Sequence, residues 1–146
     1  MKAVTIKCRD LMVGDWCCDK HGLPMQITNV GDDYAYATFE GNEGDPWEFD
    51  DKDHQPCAIE ITEDILKENK WEVRAYALLP DEHYCVKYIG KYCFMWSLGM
   101  LSIWFDQKHY NDGVIADLIV SCKYAHQLQQ VLRLAGMTDM ANNFKV

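Results

Sequence analysis

Hydrophobic positions along the chain change their spacing twice, and those changes divide it into regions. Over the first third the apolar residues come in short runs separated by turn residues. Asp10–Trp16 leads into a run at Trp16–Asp19, Lys20-His21-Gly22 turns the chain, and Pro24–Val30 is the next run, closed by Gly31-Asp32-Asp33. Tyr34–Phe39 follows with Tyr/Ala alternation, Glu40–Pro46 is a polar loop, and Trp47–Phe49 completes the set. Runs this short, punctuated by turns, predict antiparallel strands in a small barrel or curled sheet.

The Leu11-x-x-Gly14-Asp15-Trp16 opening resembles the first strand of SH3-like barrels. After it, Asp50–Pro56 is a polar connector and Ala58–Ile61 a possible further strand. Thr62 then supplies an N-cap, with Glu63 and Asp64 in the first turn where acids favour the helix dipole, so a helix is expected over Glu63–Asn69 with Ile65 and Leu66 inward. The middle holds most of the aromatic residues. His83–Ile89 and Lys91–Ser97 both alternate, with Tyr84, Val86 and Tyr88 on one face of the first and Tyr92, Phe94 and Trp96 on one face of the second. A three-residue Ile89-Gly90-Lys91 loop brings these sets onto one face, pairing Tyr88 with Tyr92, Val86 with Phe94 and Tyr84 with Trp96, and this is the register expected. Flanking strands at Trp71–Leu79 and Leu98–Phe105 make a meander. Asp106–Gly113 reads as a loop and Val114–Val120 as a strand.

From Cys122 to Ala135 the spacing becomes helical. Tyr124, Ala125, Leu128, Val131, Leu132 and Ala135 form one stripe, Ser121 is the expected N-cap, and Gly136 supplies the stop. The fold class read from these patterns is α+β, mainly antiparallel β. An SH3-like small barrel is expected over residues 1–56, and an antiparallel sheet packed by the C-terminal helix over 57–146.

Charge changes the picture locally. The formal net charge is −9, yet Gly31–Asp53 alone holds nine acids against the single base Lys52, so the remainder is almost neutral. The absence of a basic cluster argues against direct nucleic-acid binding and against an anionic membrane surface. No apolar run reaches the roughly 20 residues of a membrane span, and the charged start Met1–Asp10 has no signal-peptide core, so a cytoplasmic protein is expected. The seven cysteines include no CxxC pair and are read as reduced core residues. Neither Cys17, Cys18 and His21 nor His83, Cys85 and Cys93 has structural zinc spacing, so no metal and no cofactor is expected.

No GxSxG, HExxH or glycine-rich phosphate loop occurs in the sequence, which leans against an enzyme and assigns no catalytic residue. Two groups stand as possible partner contacts. Trp47 and Phe49 lie among Asp50, Asp51 and Asp53, an acidic rim suited to a basic, apolar protein partner, although Trp47 equally suits closure of the barrel. His126, Gln130 and Arg133 form a polar row on the last helix; the plainer reading of His126 is a half-buried ring bonded to a nearby carbonyl.

The segments Ile59–Asn69 and Lys123–Gln129 together resemble a family of small uncharacterised proteins of gut bacteria and their phages and mobile elements. Its members pair a Gly-Asp-containing, barrel-like start with a threonine-capped helix and a closing tyrosine–valine–histidine–x–leucine–glutamine helix. This sequence departs at Glu60 and Ile61, where the family has proline and leucine, and at Ala125, where it has valine. The resemblance implies an accessory protein of a phage or mobile element and carries over no catalytic residue. The leading expectation is a non-enzymatic protein-interaction or adaptor module. The alternatives are an acidic decoy that mimics nucleic acid, and a small His/Cys-dependent hydrolase or metal enzyme.

Overall fold

The turn signals of the sequence become nine strands and four short helices in the computed structural model, which describes residues 3–146; Met1 and Lys2, at the head of the charged start, lie outside the described residues. A 3₁₀ turn at Cys8–Asp10 precedes β1 (Trp16–Cys18), β2 (Pro24–Val30), β3 (Tyr34–Thr38) and β4 (Trp47–Asp50). Helix α1 (Glu63–Glu68) leads into β5 (Glu72–Ala75), β6 (His83–Ile89), β7 (Tyr92–Ser97) and β8 (Met100–Trp104). Then come α2 (Gln107–Asn111), β9 (Leu118–Ser121), α3 (Ala125–Leu134) and α4 (Thr138–Asn142). The fold is α+β with two antiparallel sheets, ordered β1-β2-β3-β4 and β5-β6-β7-β8-β9.

The chain divides into two units, one running to Glu60 and resuming over Tyr124–Phe144, the other spanning Ile61–Lys123. This differs from the expected division at residue 56, because α3 belongs with the first sheet and not with the second. In the first unit, alternation works as the sequence suggests. Cys17, Met25, Ile27, Ala35, Ala37 and Phe49 point to one side of their strands and join Ile6, Cys8 and Leu11 in a core. The register between β2 and β3 shifts between Ile27 and Asn29, a local irregularity of the kind that bends a strand. The described residues form an open sheet, extended by isolated bridges from Cys57 to Cys18 and to Thr5, and not a closed barrel.

Beside its buried Ala125, Leu128 and Leu132, α3 is joined to this unit by polar bonds. Asp15 is fully buried; its carboxylate accepts from the Met12 amide at 2.8 Å and the Gln130 amide at 2.8 Å, and it pairs with the Arg133 guanidinium. Gln129, also fully buried, accepts from the Trp16 amide at 2.8 Å and donates to the Gly14 carbonyl at 2.8 Å and the Ala141 carbonyl at 2.9 Å. Gly14 has φ +93°, a conformation that favours glycine, and a Cβ there would displace the side-chain ends of Asn142 and Arg133, at 2.6 Å and 2.9 Å. The helix begins later than expected: Ser121 is the last residue of β9, paired with Met100, and Tyr124 takes the N-cap position, its amide donating to Gln127 Oε1 at 3.2 Å.

In the second unit Thr62 caps α1 as expected, its Oγ1 accepting from the Ile65 amide at 3.2 Å. The aromatic hairpin has a different register. Ile89 pairs with Tyr92, Tyr88 with Cys93, Val86 with Met95 and Cys85 with Trp96, so the turn is the two-residue Gly90-Lys91. Gly90 has φ +55° at the first central position, as a type II′ turn needs. The aromatic sets therefore lie on opposite faces, and both faces are covered. Val86, Cys93 and Trp104 pack with Tyr84, Met95 and Tyr110 on one side, while Trp71 meets Phe94 on the other at 6.4 Å. The stretch read as a loop at Asp106–Gly113 contains α2, whose first turn is held by Asp106 Oδ1 accepting from the Lys108 amide at 2.9 Å.

Candidate functional site

Two non-glycine residues among those described have positive φ, Lys70 at +67° after α1 and Leu98 at +49° in the β7–β8 turn, and only the second is an apolar side chain. Leu98 and Gly99 both have positive φ, +49° and +79°, the pattern of a type I′ turn in which asparagine or glycine is the usual first residue. A leucine held there costs about 1–2 kcal/mol of backbone strain. Leu98 recovers none of that through packing, because it is 87% exposed.

Leu98 stands at the mouth of a cleft of about 430 Å³ at the end of the five-stranded sheet. The β5–β6 connection contributes Tyr76, Leu79, Asp81 and Glu82; the strand ends contribute His83, Cys85, Trp96 and Ser97; Glu63 comes from the first turn of α1. Two rings form the apolar wall. Tyr76 packs on Tyr84 at 4.7 Å between centroids and donates its hydroxyl to Ser97 Oγ at 3.2 Å. Trp96 donates its indole N–H to the Cys122 carbonyl at 2.7 Å. Leu78, next to Leu79, is 93% exposed and extends the apolar surface along the loop.

Glu63 Oε1 lies 2.8 Å from His83 Nδ1, and Cys85 lines the same cleft, so carboxylate, imidazole and thiol share one site. Burial, aided by the charge of Glu63, pushes Cys85 up to about 11, so it is a neutral thiol near pH 7 and a poor attacking group. Burial likewise raises Cys93 to about 11 and Cys122 to about 12, and all seven cysteines are free. Cys85 and Cys93 point to opposite faces of the sheet, since Cys85 pairs with Trp96 and Cys93 with Tyr88. Among the described residues no three His, Cys, Asp or Glu side chains are set to share a metal ion.

The residues singled out from the sequence lie in the first unit and form no single site. Phe49 is a core residue, 1% exposed. Trp47 is exposed and meets His54 edge-on at 5.8 Å, beside a hollow of about 150 Å³ that Asp53 also lines. Asp50 caps the turn after β4: its Oδ1 accepts from the amides of Lys52, Asp53 and His54, and these bonds hold its carboxyl down at about 2. Asp51 accepts from the Cys8 amide at 2.9 Å. Gln130 and Arg133 are engaged with Asp15 as described, and Gln130 also donates to the Asp10 carbonyl.

His126 is buried, stacks on Tyr124 at 6.1 Å, and lines a shallow hollow with Lys7 and Arg9. Its Nδ1 is buried with no hydrogen-bond partner, so the carbonyl bond expected from sequence is missing at that nitrogen. Burial lowers its pKa, against the opposing pull of Asp15 and Asp10.

Leu79, Asp81, Glu82 and Leu98 belong to no motif along the chain. The one available signal was Leu98-Gly99 itself, a turn dipeptide whose first position holds leucine in place of asparagine. Among the described residues no helix is long and apolar enough to cross a membrane. No protein-family model matches the chain, and no curated protein or solved structure matches it either.

Proposed function

We propose that the chain is a non-enzymatic protein-interaction module, and that its docking surface is the cleft beside Leu98. The observation that supports this is the strained, outward leucine. It raises the energy of the free protein and gives no core packing in return, a combination expected of a side chain that finds its contacts on a partner. The neutral Cys85 thiol in the same cleft supports binding over nucleophilic chemistry.

On the resemblance described above, the module is an accessory protein of a phage or mobile element that acts in the cytoplasm. The first unit is read as an SH3-like small barrel opened at one side, supported by its strand meander and the Cys57 bridges.

A matched pair of photocrosslinking residues tests the docking surface. Leu98 and Leu134 are almost equally exposed, at 87% and 89%, and a benzoylphenylalanine placed at each is expected to give a discrete protein adduct from position 98 only. Identical adduct patterns from the two positions, or none from position 98, would overturn the reading.

A further inference from the structure

We infer that the cleft receives a cationic side chain, of the arginine or lysine kind, carried on an apolar stretch of a partner protein; this rests on the docking reading above and specifies its chemistry. Three carboxylates, Glu63, Asp81 and Glu82, line the cleft, and no lysine or arginine does among the described residues. His83 lies in the cleft with its Nδ1 on Glu63, and two cations stand beside it: Lys67, whose charge acts on Cys85, and Lys123, whose stem packs at Gly99.

The aromatic wall is prepared for the same guest. The Trp96 indole N–H and the Tyr76 hydroxyl are both engaged by the protein's own acceptors, so what these rings offer a ligand is carbon surface. A ring face beside carboxylates is the arrangement that attracts a guanidinium or ammonium group together with its methylene stem. Leu79 and Leu98 flank the opening, where they would meet apolar neighbours of that side chain. The volume of about 430 Å³ falls within the roughly 300–1,000 Å³ of ordinary ligand sites.

Charge decides among occupants. An anionic ligand would face the three carboxylates that line the cleft. A basic, apolar segment gains from both features of the cleft.

The test is a titration of the full chain, followed by amide and indole resonances, with end-capped Leu-Arg-Leu, Leu-Gln-Leu and Leu-Glu-Leu peptides. The arginine peptide is expected to shift the Leu98 amide and the Trp96 indole saturably, about tenfold more tightly than the glutamine peptide, and to weaken as salt rises. Replacing the rim acids together, Asp81→Asn with Glu82→Gln, is expected to lower that affinity about fivefold while leaving the melting temperature unchanged. Equal binding of the arginine and glutamine peptides would overturn the cationic assignment and leave the docking surface standing. No response at Leu98 or Trp96 to any peptide would overturn both. Shifts of the same resonances with protein concentration alone would assign the cleft to a second copy and overturn the inference.

Discussion

In the first unit the polar side chains that stand off the stripe of α3 turn inward, whereas in the second unit an apolar side chain turns outward. Gln129, Gln130 and Arg133 close around Gly14, Asp15 and Trp16, and their polar groups satisfy buried backbone and a buried carboxylate. Leu98 sits in a strained turn facing solvent, with Asp81 and Glu82 exposed around the same cleft. Residue type therefore misdirects in both places. Glutamine and arginine are the seam that holds one unit together, and leucine is the feature that leaves the other unfinished. A buried polar group costs little when its bonds are made, as at Gln129 and Asp15, and exposing a strained apolar group is costly unless something later covers it.

The largest effect is expected from Arg133→Ala. It leaves the fully buried Asp15 carboxylate without its cation, and losing one partner of such a pair costs about 3–5 kcal/mol. Urea unfolding followed through first-unit amides should move to much lower denaturant. An unchanged midpoint would mean the seam is ornamental and α3 is held by its apolar stripe alone.

A smaller effect should appear with pH. Burial favours the neutral His126 ring in the folded state, so its folded pKa lies below the ordinary value. The unfolded chain then takes up the proton first, near pH 6.5, and stability that is complete above that value falls as pH drops below it. Urea midpoints measured between about pH 7.5 and pH 5.5 should decline, and His126→Phe should remove most of that slope. A slope that survives the substitution would locate the titrating group elsewhere.

The smallest expected change has the opposite sign. Leu98→Asn suits the left-handed turn position and should stabilise the second unit by about 0.5–1 kcal/mol, read as a higher melting temperature, while the arginine peptide loses affinity. A variant that is destabilised would show that Leu98 packs in the free protein, and the contrast between the units would disappear.

Much of the architecture was legible in the pattern of residues. The first-unit strands, the Thr62 cap, the α3 stripe and the Gly136 stop all follow from local chemistry at short range. The aromatic hairpin was misjudged because alternation specifies register only when one face is buried. Here Val86 and Cys93 are buried on one side and Cys85 and Phe94 on the other, so either loop length satisfies the pattern. The turn residue Gly90 settled the matter through its backbone. The acidic rim was visible as composition, but Asp50 and Asp51 are engaged by nearby and distant amides that composition does not reveal.

The four first-unit strands, α1 and the α+β class with antiparallel sheets follow from capping, turn and periodicity signals that act between residues close in the chain, whereas α2 lies where a loop was expected and α3 starts later than its spacing suggests. Only the tertiary structure decided that α3 belongs to the first sheet, since the bonds that fasten it join Asp15 and Trp16 to residues more than a hundred positions away. The cleft also arose there: Glu63, Tyr76, Glu82, Trp96 and Leu98 are spread along the chain and become a site only when the sheet brings its loop, turn and helix start together.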